Sequence, residues 1–203
     1  VTDINPDKPG LMQKLLMPIL LKLPKSLAPG SLKMLFDFTD PTTPAGAAFN
    51  NPKMSMQTGE MEANTAKWRK AEIPAANGHG TARSIAKLYG ALAIGGSRDG
   101  VHVLSQETIE MARQTESDGK DLVLGQLHTR FGLGFMLGTE DVSMGPNKDA
   151  MGHGGAGGSL GFADPDNKIS LGFTMNQMHP GITAWKTATD VAQSVYKTLN
   201  ISL

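Results

Sequence analysis

The 203-residue chain contains no cysteine, and this absence removes several kinds of chemistry at once. Disulfide bonds, thiolate nucleophiles and cysteine-ligated zinc sites are all excluded. An excess of one charge is also missing, because 19 lysine and arginine residues balance 19 aspartate and glutamate residues. A chain without a basic excess has no net attraction for a phosphate backbone, so we expect no nucleic-acid partner.

Long hydrophobic runs are absent as well. The most apolar stretch, Leu11–Leu23, is interrupted by Pro18 and contains Lys14 and Lys22. It is too short and too polar to cross a bilayer, which needs about 20 apolar residues. The sequence shows no signal peptide, and together with the lack of cysteine this favours a cytoplasmic protein.

The five histidines lack the spacing of metal ligands. None lies four residues from another on a predicted helix, and no His-Glu-x-x-His motif occurs. We therefore expect neither a metal site nor a cofactor.

The chain divides into two regions by its proline content. Residues 1–67 hold eight prolines, which prevent long helices or strands and predict an irregular lid or helical-lobe segment. Residues 68–203 follow regular patterns. Thr81 is a candidate N-cap for a helix that Gly95 and Gly96 end, and Ser105 is a candidate N-cap for a second helix.

Strands are predicted in the second half of the chain, at Phe131–Leu137, Ala150–Ala156, Ser159–Ala163 and Ile169–Asn176. The last two strands flank a turn and form an antiparallel hairpin. A closing helix is predicted over Ile182–Leu199 from its apolar stripe. About three strands covered by helices make an α+β fold, with an antiparallel sheet that is small for this length.

Glycine is concentrated in one run, Met151–Phe162, where six glycines and one histidine share twelve residues. A strand this rich in glycine packs poorly through its own side chains. We therefore expect something else to lie against its backbone. His153, flanked by glycines, projects from a strand whose N–H groups are accessible to a substrate, and such groups stabilise a developing oxyanion. A solvent-facing histidine on a glycine-rich bulge is the alternative.

Other residues offer catalytic patterns. Ser159 lies in a Gly-x-Ser-x-Gly sequence, followed by an aspartate and a histidine, but its hairpin context differs from the strand-to-helix turn of a nucleophile elbow. Ser84…Lys87 and Ser194…Lys197 match Ser-x-x-Lys, yet both lie within predicted amphipathic helices, so we interpret them as chance matches. His79 precedes a helix and either fixes the loop or faces substrate.

Several linked motifs resemble one family. The segments Trp68–Ala86, Phe131–Phe135, Gly152–Gly158 and Gly161–Pro165 are similar, in this order, to segments of the serine β-lactamase-like superfamily. The resemblance is closest to its family VIII carboxylesterases, and it extends to about Met178. It implies a two-lobed hydrolase with an antiparallel sheet flanked by helices, the β-lactamase/transpeptidase-like fold.

The resemblance also implies roles for the glycine-rich run. The family has three sequence motifs at its active site. The third of them aligns with His153–Gly155, and the N–H group of Ala156 aligns with an oxyanion donor. We expect His153 and Ala156 to take part in catalysis. Gly154, Gly155, Gly157 and His79 are the expected substrate-binding residues.

The family's catalytic Ser-x-x-Lys and Tyr-x-Asn motifs lie upstream of the matched segment, and this chain resembles the C-terminal half of such an enzyme. We expect the sheet to be incomplete and the missing motifs to come from an N-terminal segment or a complementary chain. The leading hypothesis is part of a serine hydrolase for short-chain esters, with β-lactams as a second substrate class. The alternatives are a non-catalytic ligand-binding relative and a self-sufficient hydrolase that uses Ser159.

Overall fold

A computed structural model of the chain describes residues 15–16, 19–20, 22, 24, 36–38, 40–49, 62–179 and 186–202. The described residues fall into two compact units. The larger unit comprises 78–119, 128–179 and 186–202, and the smaller comprises the described part of 7–77 with 120–127. Within the described ranges, no helix combines the length and apolar character that a membrane crossing requires.

The described residues of the smaller unit include the short helices α1 (Pro44–Phe49) and α2 (Ala66–Lys70). The side chain of Thr65 accepts a hydrogen bond from the third residue beyond it and caps α2. Asn77 fixes the segment that follows, because its amide nitrogen donates to the carbonyl of Trp68 at 2.9 Å and its oxygen accepts from the N–H of Ile73 at 3.1 Å.

The larger unit begins with helix α3 (Ala82–Ala93), which Thr81 caps as predicted. Gly95 and Gly96 follow it with φ near +90°, where glycine ends a helix at no steric cost. A two-residue hairpin pairs β1 (Ser97–Arg98) with β2 (Val101–His102), and Ser105 caps helix α4 (Gln106–Ala112).

A six-stranded sheet is ordered β3-β4-β5-β6-β7-β8 as in the sequence, and most of its residues belong to this unit. Neighbouring strands from β4 to β8 pair in antiparallel fashion. The closing helix α5 runs over Lys186–Thr198. The strands are β3 (Ser117–Asp121), β4 (Leu127–Phe131), β5 (Met136–Leu137), β6 (Met151–Gly154), β7 (Leu160–Asp164) and β8 (Ile169–Phe173).

Helices cover both faces of the sheet. On one face, Ala163 of β7 belongs to a buried cluster with Leu92 of α3 and Ile109 of α4. On the other face, the ring of Phe162 stacks on that of Tyr196 of α5, with centroids 6.4 Å apart. All five residues of β7 are therefore buried, as expected for a strand between two layers of helices.

The α+β class is confirmed, but the predicted number of strands is wrong. The prediction missed β3, whose sequence Ser-Asp-Gly-Lys-Asp has no apolar alternation, and it missed β4 except for its last residue, Phe131. The predicted strand Phe131–Leu137 is divided between β4 and β5 by a turn. In that turn, the N–H of Gly132 donates to the carbonyl of Phe135, and Gly134 adopts a φ of +80°.

Candidate active site

The glycine-rich run forms the hairpin between β6 and β7. His153 pairs with Gly161, and Gly154 pairs with Leu160. The connection Gly155–Ser159, which we call the glycine turn, is closed at its base by a 2.8 Å hydrogen bond from the N–H of Gly155 to the carbonyl of Ser159. A second bond within the turn runs from the N–H of Gly158 to the carbonyl of Gly155, at 3.0 Å.

Part of the glycine content serves packing rather than ligand binding. A Cβ at Gly161 would lie 2.7 Å from side-chain atoms of Ile85 and Tyr89, and a Cβ at Gly172 would lie 2.4 Å from the carbonyl oxygen of Ala82. Helix α3 itself thus lies against this region of the sheet. The expectation that something approaches the backbone of the run holds at Gly161, where the approaching group is a helix of this chain.

His153 is exposed and lies on β6 on the same face as α3, since it pairs with Gly161. Its Nδ1 atom is 2.5 Å from the carbonyl oxygen of Gly154. A carbonyl only accepts, so we assign the proton to Nδ1, which leaves Nε2 as an acceptor in the neutral ring. The imidazole also lies beside the ring of Phe131, with centroids 6.2 Å apart.

Among the described residues, the outer edge of β6 has no partner strand beyond its first two residues, and we call this part the open edge. Strand β5 pairs only with Met151 and Gly152. In an antiparallel ladder, successive N–H groups point to opposite edges. Because Gly155 donates toward β7, the N–H of Gly154 is directed to the open edge. The next such position, Ala156, is exposed, and among the described residues its N–H has no acceptor.

His79 lies apart from this arrangement in the contacts that the structure gives. It is exposed in the loop before α3. Within the described ranges, no hydrogen bond, ion pair or ring contact joins it to His153 or to the glycine turn. The role of His79 in substrate binding therefore stays a prediction.

The Ser-x-x-Lys matches have structural roles. Ser84 and Thr81 form a reciprocal capping box at the start of α3, and Lys87 pairs with Asp99 at 3.0 Å. The hydroxyl of Ser194 donates to the carbonyl of Asp190, one helical turn earlier.

A third match, which the sequence reasoning missed, is Ser117…Lys120 on β3. Residues three apart on a strand project from opposite faces. This spacing is therefore unsuited to a hydroxyl and amine that must exchange a proton.

Ser159 does not have the setting of a nucleophile elbow. It ends the glycine turn and leads into β7, a strand, whereas the elbow requires a turn from strand into helix. The aspartate that follows it, Asp164, has another use. Its carboxylate is fully buried and accepts hydrogen bonds from Asn147 at 2.9 Å, from Asn167 at 2.7 Å and from the Tyr196 hydroxyl at 2.7 Å.

These hydrogen bonds set the ionisation of the pair. Burial alone would raise the pKa of Asp164, but the bonds from Asn147, Asn167 and Tyr196 outweigh it and hold the pKa below its usual value. Burial and the adjacent carboxylate raise the pKa of Tyr196. The pair is an ionised acid bonded to a neutral phenol, which fixes α5 to the end of β7.

Comparison with known proteins agrees with this architecture. The model of the family described as Beta-lactamase matches residues 34–193, more than half of the chain. The esterase/β-lactamase LipL of Mycobacterium tuberculosis is 37% identical over 108 residues, which are 53% of this chain and 24% of LipL.

Three solved structures share the fold. A penicillin-binding protein homologue from Caulobacter crescentus superposes with a TM-score of 0.63 at 37% identity, over 66% of this chain and 36% of that one. A family VIII carboxylesterase gives 0.62 at 41% identity, over 66% and 36%. EstA from Arthrobacter nitroguajacolicus gives 0.66 at 27% identity, over 79% and 42%.

The chain spans less than half the length of each of these relatives, and so it corresponds to part of their fold. The matched family region includes α3, the whole six-stranded sheet and most of α5. It also includes the glycine turn, where the open edge of β6 presents its N–H groups. From the sheet, the hairpin and the family model together, we conclude that this chain belongs to the beta-lactamase family of hydrolases.

Proposed function

We propose that this chain supplies the substrate-orienting and oxyanion-binding part of a serine hydrolase that cleaves short-chain carboxylic esters. The observation that carries the proposal is the N–H of Ala156 at the open edge of β6, next to the exposed imidazole of His153. This N–H has no acceptor among the residues that the structure describes. The names of the relatives, an esterase/β-lactamase and a family VIII carboxylesterase, support the choice of esters, with β-lactams as a second substrate class.

The reaction is acyl transfer in two steps. A serine hydroxyl attacks the ester carbonyl, the carbonyl oxygen becomes an oxyanion, and the alcohol leaves with a proton. Water then cleaves the seryl ester and releases the acid. In this scheme the Ala156 N–H stabilises the oxyanion. An ester has no hydrogen to donate, so Nε2 of His153 accepts a hydrogen bond from the departing alcohol or from the water that cleaves the seryl ester. Gly154, Gly155 and Gly157 let the substrate approach the backbone.

The nucleophile and its base come from outside the described residues in this proposal. The serines of the Ser-x-x-Lys matches at Ser84 and Ser194 are used in capping and in a helix-backbone bond. An N-terminal segment or a complementary chain would supply the serine, its lysine and the tyrosine of the second motif. A relative that retained the binding edge but lost the nucleophile is the non-catalytic alternative.

Labelling with a fluorophosphonate, read by peptide mass spectrometry, tests where the nucleophile lies. We expect the folded 203-residue chain to give no serine adduct. An adduct on Ser159 would instead establish the self-sufficient hydrolase.

A second measurement tests the binding edge itself. A butylphosphonate monoester carries the charge and shape of the tetrahedral intermediate without reacting. Titration of the ¹⁵N-labelled chain with it is expected to shift the Ala156 amide resonance. Absence of binding would remove the oxyanion role. Binding of short esters without turnover, in a protein that also carries the upstream motifs, would select the non-catalytic alternative.

A further inference from the structure

We propose that Met178 and His179 form a clamp that sets the direction of the Ala156 N–H, with Met178 as a positioning residue. The inference rests on the proposed oxyanion role of Ala156. The two residues follow β8, and they contact the glycine turn at Gly157 through one backbone bond and one side chain.

The backbone bond is a 3.0 Å hydrogen bond from the N–H of His179 to the carbonyl of Gly157. The side-chain contact comes from Met178, which is half-buried. A Cβ placed on Gly157 would lie 2.7 Å from both Cγ and Cε of Met178. The thioether side chain therefore covers Gly157 directly, and Gly157 is itself buried.

Two planar peptide groups connect this clamp to the proposed oxyanion donor. The carbonyl of Gly157 and the N–H of Gly158 belong to one peptide plane, so the bond from His179 fixes the direction of the Gly158 N–H. That N–H donates to the carbonyl of Gly155 at 3.0 Å. The Gly155 carbonyl shares a second plane with the N–H of Ala156, which in a trans peptide points the opposite way.

The turn needs such a restraint because of its composition. Gly157 and Gly158 have φ angles of +85° and +112°, and glycine moves between many backbone conformations at little energetic cost. Of the hydrogen bonds that the structure gives for this turn, the bonds within the turn itself would remain to oppose rotation of its peptide groups if the contacts at Gly157 were lost. A donor that rotates stabilises an oxyanion poorly, since the stabilisation depends on preorganised N–H groups.

Paired substitutions test each part of the clamp. Met178→Ala removes the covering side chain, and Met178→Leu retains a side chain of similar volume. His179→Pro removes the backbone donor, and His179→Ala retains it. Met144→Ala controls for general destabilisation, because Met144 is fully buried and lies outside the turn.

The two readouts are the affinity for the butylphosphonate monoester and the hydrogen exchange of the Gly158 amide, measured relative to a core amide of β7. His179→Pro is expected to weaken phosphonate binding about tenfold and to speed Gly158 exchange by about the same factor, through the loss of one hydrogen bond. Met178→Ala is expected to change both readouts in the same direction, through the loss of the packed side chain that covers Gly157. Met178→Leu and His179→Ala are expected to stay close to the wild type. Met144→Ala is expected to lower the melting temperature without changing either readout.

The clamp is disproved if Met178→Ala and His179→Pro leave the relative exchange of Gly158 unchanged. It is also disproved if Met144→Ala produces the same changes. A wild-type chain that fails to bind the phosphonate, while Gly158 exchange still responds to Met178→Ala, would keep the clamp and overturn the oxyanion role. Exchange thus separates failure of the clamp from failure of the proposed function.

Discussion

The hydroxyl of Tyr196 on α5 donates a 2.7 Å hydrogen bond to the buried carboxylate of Asp164 at the end of β7. This bond joins the closing helix to β7, which also pairs with β6 and β8. Because the acceptor is charged and buried, removal of the donor leaves part of a carboxylate without a partner.

Tyr196→Phe is therefore expected to lower the free energy of unfolding by about 1–3 kcal/mol, measured by urea denaturation. The chain offers a matched control in Tyr89, which is half-buried against Gly161 and has no hydrogen bond at its hydroxyl in the described part of the chain. Tyr89→Phe is expected to change stability by less than about 0.5 kcal/mol. Equal effects of the two substitutions would contradict the assigned role of the Tyr196–Asp164 bond.

The same carboxylate predicts a dependence of stability on pH. The folded-state pKa of Asp164 is lowered, so its contribution is fully present above the unfolded pKa of about 3.9. It is lost as the pH falls through the folded pKa, since the unfolded chain then binds a proton that the folded chain does not. Asp164→Asn should flatten the acid limb of the stability curve, measured by chemical denaturation from pH 6 to pH 2. An unchanged slope in that range would exclude Asp164 as a source of acid sensitivity.

Because α3 packs closely on the sheet, we expect glycine-to-alanine substitutions to destabilise the chain at some positions of the sheet and not at others. A Cβ at Gly172 would meet the backbone of α3 at the Ala82 carbonyl oxygen, and a helix backbone yields only by moving. Gly172→Ala is expected to destabilise the chain by about 1–3 kcal/mol in thermal or urea unfolding. Gly119→Ala is the control, because its Cβ would meet nothing within 4 Å. A destabilisation by Gly119→Ala as large as that by Gly172→Ala would refute the steric explanation.

The capping box at the start of α3 predicts that Ser84 serves stability rather than chemistry. Thr81→Ala and Ser84→Ala each remove one of the two reciprocal bonds. Each is expected to cost about 0.5–2 kcal/mol of stability. Neither should change ester hydrolysis in a protein that carries the upstream motifs. If Ser84→Ala abolished hydrolysis while circular dichroism showed an intact fold, Ser84 would again be a candidate nucleophile.

His153→Ala tests the substrate-orienting role in the same protein. Loss of its Nε2 acceptor is expected to reduce kcat/KM for a short-chain ester about tenfold. His102→Ala is the control, since His102 is also exposed and bonds to Ser97 on the separate β1–β2 hairpin. Unchanged kinetics in His153→Ala would remove the imidazole from the site.

Local chemistry made the helices of the larger unit predictable from the sequence. Thr81 and Ser105 are caps whose hydroxyls bond to N–H groups three residues on, an interaction that depends only on nearby residues. The strands at the glycine hairpin were also predicted within two residues of their observed ends. Strand β3 was not, because its side chains are polar and mostly exposed and so lack the alternation of apolar residues that marks a strand.

The candidate site was predictable only in outline. The glycine content and His153 drew attention to β6, but the pattern does not distinguish glycines that admit a ligand from those that admit a helix. Gly161 belongs to the second kind. The contact of Met178 with Gly157 had no signal in the sequence, because the two residues are far apart in the chain and a methionine there matches no motif.

Helix α3 rests on main-chain atoms of the sheet at Gly172, with no intervening layer of side chains. Where a helix packs on a sheet through side chains, substitutions change the distance between the two. Where it packs directly on the main chain, no side chain lies between them to be changed. The contact of α3 with the main chain at Gly172 therefore fixes the distance between the sheet and the loop before α3. A substitution of His79 in that loop would therefore change the functional group at this position without changing the distance of the loop from the sheet.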